Sequence, residues 1–390
     1  MNMREQRGIE IAQKAKIVET PKGFIVPSQS GNGSYLVYNA GIRTKCTCPD
    51  CMKHNNKCKH QFAVEYFVKR ETDKEGNTTV TKAVRVTYTQ DWHNYNQAQN
   101  KEVEMFSVLL KDLLENVEEP SQIFGRPRIG LRENLFCTIE KVYSQLSSRR
   151  AHTLYREAKE KEQIGKVPNF NAINKFLNRE DITPILQKLI TLSALPLKNV
   201  ETQFAVDSSG FRTSQFNQYA VEKYKQKKEH KWIKAHILTG TKTNVIVNAK
   251  VTECDKGDSP FFIPLVEEAH ESGFDLKEVS ADKAYSSAKN LKAVLDMEGM
   301  PYIPFRSNTG MNANKKKIWK QMYYYFLLNQ EAFMQHYHRR SNAETTFFMV
   351  KAKFGDRLKS KKWVAQQNEL LCKFVAHNIV CIIHEMHELG

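Results

Sequence analysis

Apolar residues change their spacing along this chain, and each change marks a different kind of element. Gly23-Phe-Ile-Val-Pro27 and Ser34-Tyr-Leu-Val-Tyr38 are short apolar runs flanking Ser28-Gln-Ser-Gly-Asn-Gly33, a cluster of turn formers, so this stretch predicts a hairpin. Gln61-Phe-Ala-Val-Glu-Tyr-Phe-Val68 predicts a short amphipathic helix. Residues 71–100 are polar with Thr-rich, strand-like pieces and read as a linker. Beyond 101 the period becomes helical, with Leu109, Leu110, Leu113, Leu114 and Val117 on one stripe. Pro120 and Gly125-Arg-Pro-Arg128 interrupt it. Further helices are expected over 131–146, 151–163, 171–177 and 185–192, with Pro168, Pro184 and Pro196 at their boundaries.

From Phe204 the order turns strand-rich. Phe204-Ala-Val206 is a short apolar run that ends in Asp207 and then in the turn-like Ser208-Ser-Gly210. Stretches 232–239 and 244–252 predict a hairpin across Gly240-Thr-Lys-Thr243. A helix over 262–271 leads through Gly273 to a strand over 276–281, which ends in Asp282. A helix over 288–297, a short strand over 301–305 and a helical run to the C-terminus complete the pattern. Four segments follow: 1–70, a small module; 71–100, a linker; 101–200, a helical region; and 201–390, a mixed α/β domain.

Composition narrows the class of partner. The 390 residues are 41% apolar and 10% aromatic, enough for globular cores. The net charge of +16 favours a polyanionic partner through phosphate neutralisation. Met1-Asn-Met-Arg-Glu-Gln-Arg7 has no apolar signal core. The apolar stretch Ile379-Val-Cys-Ile-Ile383 is interrupted by Asn378 and His384 and reads as a core helix, not a membrane span. A cytoplasmic protein with no membrane partner is therefore expected. A bundle of short helices in so basic a chain suggests binding of DNA ends, of helix-turn-helix type, or else a plain helical core.

Chemistry concentrates in two places. The first is Tyr337, Arg340, Glu344 and Lys351, which a single helix would set at about 0°, −60°, −20° and −40° on one face. A carboxylate would then stand among two cations and a phenol, a set suited to a phosphate, although a charged stripe is usually a solvated face. Asp207 and Asp282 add weight, because open α/β sheets place chemistry at strand ends. The second place is Cys46, Cys48, Cys51 and Cys58, four of eight cysteines, whose density in a cytosolic chain favours metal over disulfides. The scattered Cys137, Cys254, Cys372 and Cys381 read as buried, inert thiols.

Asp207 in Val-Asp-Ser-Ser-Gly, Asp282 in Ala-Asp-Lys-Ala-Tyr and the spacing Tyr-x2-Arg-x3-Glu-x6-Lys together resemble the DDE transposases of prokaryotic insertion sequences, over about half the chain from Phe204 onward. The resemblance implies a ribonuclease-H-like core. It implies Asp207, Asp282 and Glu344 as catalytic ligands of Mg²⁺ or Mn²⁺, with Asp207 bridging two ions from the central strand. Tyr337, Arg340 and Lys351 would bind the DNA substrate. The implied activity cleaves the ends of a mobile element and joins its 3′-hydroxyls to target DNA, by a homodimer or higher multimer on paired ends, at the nucleoid. Little chain is left between Asp282 and Glu344 for a large inserted β-domain. The rival readings are a transposase-derived, non-catalytic zinc-finger DNA-binding protein, which loss of an acid would mark, and a ribonuclease-H-like nuclease unrelated to mobile DNA.

Cys46-Thr-Cys48 with Cys58-Lys-His60 resembles a SWIM-type zinc finger, which implies one structural Zn²⁺ on Cys46, Cys48, Cys58 and His60. Cys51 and His54 are surplus ligand candidates. Basic runs at Lys223-Tyr-Lys-Gln-Lys-Lys228, Arg306-Ser-Asn308, Lys315-Lys-Lys-Ile-Trp-Lys320 and Lys359-Ser-Lys-Lys362 are solvated faces or a grip on DNA. Trp319 reads as packing sooner than as a base-stacking platform. Gly125-Arg-Pro-Arg128 resembles the core of a minor-groove AT-hook, but a Pro-containing linker is the simpler reading.

Overall fold

The computed structural model describes residues 3–29, 33–40, 43–54, 57–72, 78–82, 91–121, 124–125, 128–213, 232–306, 309 and 316–388. The chain divides into two units, residues 1–90 and 91–390.

In the first unit, α1 (Met3–Lys14) precedes a four-stranded antiparallel sheet of β1 (Val18–Thr20), β2 (Gly23–Pro27), β3 (Ser34–Ala40) and β4 (Arg43–Cys46), paired in chain order. The expected hairpin is β2–β3, in register from Phe24↔Val37 to Pro27↔Ser34. Two short helices, α2 (Pro49–His54) and α3 (Lys59–Phe67), lead to the hairpin of β5 (Val68–Thr72) and β6 (Thr78–Lys82). A Cβ added at Gly8 would lie 2.5 Å from Phe62 Cβ, so α1 approaches α3 more closely than any other residue there would allow. The core is small: Ile11, Ile17, Val26, Val37, Ala63 and Val64 gather around Cys46, Cys48 and Cys58. So few apolar side chains leave such a module dependent on another source of stability.

The second unit opens with α4 (Trp92–Leu114), capped by Asp91, whose side chain accepts from His93 N and Asn94 N. It continues through α5 (Leu131–Tyr143), α6 (His152–Glu160), α7 (Phe170–Phe176) and α8 (Thr183–Ala194). The sheet follows: β7 (Gln203–Arg212), β8 (Trp232–Gly240), β9 (Ile246–Glu253), β10 (Glu278–Ala281) and β11 (Met300–Tyr302) lie in the order β11-β10-β7-β8-β9. β7, β8 and β9 form an antiparallel meander, whereas β10 joins β7, and β11 joins β10, in parallel. Parallel pairing needs crossovers, and α9 (Phe262–Glu271) and α10 (Ala288–Asp296) lie in the connections to β10 and β11. The chain ends in α11 (Lys317–Leu328), α12 (Gln330–Tyr337), α13 (Ser341–Phe354) and α14 (Trp363–Glu388).

Alternation along the strands divides the core in two. Val206 and Leu238 pack with Phe262, Leu265, Leu291 and Val294 of α9 and α10. Phe211, Ile233, Ala235 and Ile237 face the other way, toward Phe347 of α13 and Leu371, Phe374 and Val375 of α14. The C-terminal helix is a core helix, as its interrupted apolar run suggested. Asn378, buried at its middle, is fully paired: Oδ1 accepts from Ile246 N at 2.8 Å, and Nδ2 donates to Ile246 O at 2.7 Å and Ser193 Oγ at 2.9 Å. Among the described residues no helix is long and apolar enough to cross a membrane.

Several expectations are corrected. Ser208-Ser-Gly210 is no turn: β7 runs on to Arg212, because pairing with β8 continues from Phe204↔Gly240 to Arg212↔Trp232. Gly210 serves packing, since a Cβ there would meet the Trp232 ring at 2.7 Å. The helical run to the C-terminus breaks at Gly355, whose φ of +75° ends α13. Cys254 is exposed, while Cys137, Cys372 and Cys381 are buried. Trp319 packs as expected, edge-on against Phe305, with ring centroids 4.9 Å apart.

Candidate active site and metal centre

The parallel register of β7 and β10 brings the two aspartates together. Val206 pairs with Ala281, so Asp207 and Asp282 are the next residues on neighbouring strands, about 5 Å apart at the backbone. β7 lies at the middle of the sheet, and Asp207 stands within the strand. Asp282 leaves β10 and caps the 3₁₀ turn Lys283–Tyr285, its Oδ1 accepting from Lys283 N at 2.6 Å.

Tyr337, Arg340, Glu344 and Lys351 occupy three helical segments where one was expected. Tyr337 ends α12, Arg340 ends the 3₁₀ turn His338–Arg340, and Glu344 lies in the first turn of α13, with Lys351 further along it. The tighter 3₁₀ turn, with about three residues per turn, rotates Tyr337 away from the position that a uniform α-helix would give it. The segments still deliver a shared site. Arg340 Nη1 lies 3.2 Å from Asp207 Oδ2, and Nη2 donates to Glu344 Oε1. The Arg340 guanidinium also lies 5.9 Å from the Tyr337 ring centroid. Lys351 Nζ donates to Ser209 Oγ at 2.6 Å and lies 5.0 Å from the Phe211 ring centroid.

Charge is concentrated here against the resistance of burial. Asp207 is raised above the usual carboxylate range by burial, opposed by the Ser208 amide and Arg340 and reinforced by the charges of Glu344 and Asp282. The three acids are thus electrostatic neighbours. Burial also lowers Lys351, whereas at Arg340 the bond to Glu344 and the charge of Asp207 outweigh burial and raise it. Carboxylate oxygens are the hard donors that Mg²⁺ and Mn²⁺ prefer, so the donor set fits such ions.

A polar group that the sequence did not single out lies on the opposite face of β7. Ser208 Oγ donates to Asp258 Oδ1 at 3.0 Å, and Lys234 Nζ donates to the same oxygen at 2.7 Å. His236 is fully buried beside them, its Nδ1 3.6 Å from Asp258. An acid in the turn-like Gly257-Asp-Ser-Pro260 carries no signal of this role in the sequence.

In the first unit Cys46, Cys48, Cys58 and His60 converge, and among the described residues they form the group whose ligand atoms all lie within 4.8 Å of one another. β4 ends at Cys46, Cys48 precedes α2, Cys58 precedes α3, and His60 lies in its first turn. His60 Nδ1 is 3.9 Å from both Cys46 Sγ and Cys58 Sγ, and its Nε2 is buried without a hydrogen-bond partner. The Cys58 thiol is pulled far below its ordinary range, first by the Cys46 hydrogen bond and then, against burial, by His60. A closed set of three sulfurs and one imidazole, all buried, fits Zn²⁺. Cys51 stands aside: its amide donates to Cys48 Sγ at 3.4 Å, and its thiol meets Gln61 Oε1 at 3.5 Å. Gln61 also accepts from Cys58 N at 2.9 Å, a supporting role that sequence reading missed.

Some sequence candidates lie outside the described residues: the run 223–228, Ser307 and Asn308, Lys315, Arg126 and Pro127 of the AT-hook-like tetrapeptide, and the side chain of His54.

Among solved structures, the chain is similar to one described as the cryo-EM structure of piggyBac transposase synaptic complex with hairpin DNA. It is 11% identical, with 74% of this chain and 73% of that chain covered, at a TM-score of 0.34. A closer correspondence lies in the sequence family: residues 198–379, which hold Asp207, Asp282, Glu344 and the sheet that positions them, match the family described as transposase DDE domain, and this match supports a transposase.

Proposed function

We propose that this chain is a DDE transposase of the insertion-sequence type, which cleaves the ends of its element and joins the freed 3′-hydroxyls to target DNA. The observation that carries the reading is the convergence of Asp207 and Asp282, on adjacent parallel strands, with Glu344 across Arg340. The strand order β11-β10-β7-β8-β9, antiparallel for three strands and parallel for two, supports a ribonuclease-H-like core.

Asp207, Asp282 and Glu344 would hold Mg²⁺ or Mn²⁺, which when bound supplies activation of the attacking oxygen and stabilisation of the leaving one. The remaining work falls to the chain's own groups. Arg340 offers a planar fork to non-bridging phosphate oxygens and Lys351 a point charge. Tyr337, beside Arg340, orients the terminal nucleotide through its hydroxyl. The N-terminal SWIM-like module is proposed to be a structural Zn²⁺ site on Cys46, Cys48, Cys58 and His60, and the helical stretch 101–200 to contribute to DNA binding. Action on paired ends calls for a homodimer or higher multimer, at the nucleoid of a prokaryotic cytoplasm.

The test is incubation of the purified chain with DNA flanking its own gene and Mg²⁺, followed by mapping of nicks and joints at nucleotide resolution. Cuts at fixed ends with 3′-hydroxyl joining are the expected result. End-specific binding without any cut would favour the non-catalytic rival, and cuts without joining would favour the unrelated nuclease.

A further inference from the structure

A cavity of about 690 Å³ opens in the 91–390 unit between α5, α7 and the loop that joins α13 to α14. Its charged lining residues are almost all of one sign. Lys141 and Lys175 come from the helices, and Arg357, Lys359, Lys361 and Lys362 from the loop. Asn171 and Asn174, on one side of α7, and Asn178, just beyond its end, add amides to the lining.

The one acid in the lining, Glu369, is committed to the loop backbone: it accepts from Lys359 N at 2.9 Å and Ser360 N at 2.8 Å. One helical turn further along α14, Lys373 donates to Gly355 O at 2.8 Å and Arg357 O at 3.0 Å. Both residues are buried, and burial pushes Lys373 down to about 8. Their bonds fix the loop from beneath, so it presents its cations without having to be ordered by a ligand. Arg357, Lys361 and Lys362 are exposed and have no acidic partner among the described residues.

The same loop is tied to the strand that carries Asp207. Arg212 N donates to Asp356 O at 2.9 Å, Leu358 N donates to Arg212 O at 2.8 Å, and the Arg212 side chain pairs with Asp356. β7 and α13 therefore run side by side, joined in succession at Asp207–Arg340, Ser209–Lys351 and Arg212–Asp356. Two rulers give the span. From Glu344 to Phe354 along the helix is about 15 Å. From Asp207 to Arg212 along the strand is about 17 Å. At about 3.4 Å per nucleotide of a B-form strand, this span is roughly four to five nucleotides.

We propose that this groove holds the sugar–phosphate backbone of a DNA duplex about four to five nucleotides from the bond that Asp207, Asp282 and Glu344 act upon. The inference rests on the reading of those acids as a DNA-cleaving site. Its contacts go to phosphates, which position the duplex without reading its sequence.

The test uses the full chain and a fluorescein-labelled duplex carrying the element end, with anisotropy measured across a series of KCl concentrations. Arg357→Ala/Lys361→Ala/Lys362→Ala should lower the slope of log affinity against log salt by about 2–3, close to 0.9 per lost phosphate contact. Affinity should fall alike for the element end and for a scrambled duplex, and Lys361→Arg/Lys362→Arg should keep both. Ethylation interference should mark phosphates about four to five nucleotides from the cleavage site. The exposed pair Lys361→Glu/Lys362→Glu, checked for an unchanged melting temperature, gives the same readout if the triple variant folds poorly. An unchanged slope and affinity in folded variants would overturn the proposal, as would tighter binding of the groove to phosphatidylserine vesicles than to DNA. Loss of binding in the variants while wild type cuts nothing would uphold the groove and sink the cleavage reading. Normal cutting with an unchanged salt slope would do the reverse.

Discussion

The Arg340 guanidinium lies 3.2 Å from the Asp207 carboxylate while its second nitrogen is bonded to Glu344, so one cation balances two of the three acids. Removing it leaves a largely buried carboxylate uncompensated. Arg340→Ala should therefore destabilise the 91–390 unit in EDTA by about 1.5–3 kcal/mol, the range for losing a hydrogen bond to a charged group. Added Mg²⁺ should raise its melting temperature more than that of wild type, because a divalent cation then meets acids with no competing partner. Equal melting temperatures in EDTA, with equal gains from Mg²⁺, would refute this account of the pair.

A pH dependence follows from His377, buried on α14. Its Nε2 donates to Asn244 O at 2.9 Å, and burial lowers it to about 4 against the opposing pull of that bond. A histidine left neutral in the fold binds its proton first in the unfolded chain. Its contribution is thus complete above pH ~6.5 and declines as pH falls toward ~4, by about 3 kcal/mol in all. Urea unfolding of wild type should show about 2 kcal/mol of this loss between pH 7.5 and 5. His377→Gln, which keeps a donor for Asn244, should flatten the decline. An identical decline in both proteins would assign it to other groups.

How much of this was legible depends on the range of the interaction. Asp207, Asp282 and Glu344 stand out because acids in short apolar contexts at recognisable spacings survive in the linear sequence. The neighbourhood of Asp207 and Asp282 does not, because it depends on β10 pairing in parallel with β7 across more than one intervening element. Local propensity misread Ser208-Ser-Gly210 as a turn, since the ladder to β8 and the cover of Trp232 are non-local. Asp258 was invisible for the same reason: its partners Ser208 and Lys234 come from two other strands. The zinc-type cluster was legible because its ligands are close in sequence. The helical period of residues 337–351 was correct in kind, but it missed the 3₁₀ turn at 338–340.

The cysteine–histidine cluster predicts a dependence on metal confined to one unit. Cys46, Cys48, Cys58 and His60 form part of the small core of residues 1–90, which has few apolar side chains of its own. Elemental analysis should find one Zn²⁺ per chain. Chelation, or Cys58→Ser, should unfold residues from about 40 to 68, seen as loss of amide protection there, and leave the melting of residues 91–390 unchanged. Carefully purified protein without zinc would sink the idea. So would a chelated protein with protection intact over this stretch.

The three acids proposed as catalytic give the sharpest separation between an enzyme and a non-catalytic DNA binder. Glu344 and Asp282 are close enough to Asp207 to raise its cost of ionisation, so an amide substitution in this group removes charge where a metal would be held. Asp207→Asn, Asp282→Asn and Glu344→Gln should each abolish cleavage and joining in a plasmid assay. Binding to the element end should persist in each, because affinity rests on cations elsewhere in a chain of net charge +16. Pairwise combinations should lose no more activity than the single variants, as expected for groups that act as a unit. Arg340→Ala and Lys351→Ala should react measurably but more slowly, since the role proposed for these residues is to hold phosphate and not to supply carboxylate. Joining that survives Asp207→Asn would remove that residue from the site, and wild-type protein that binds ends but never cuts them would leave the binding protein as the correct reading.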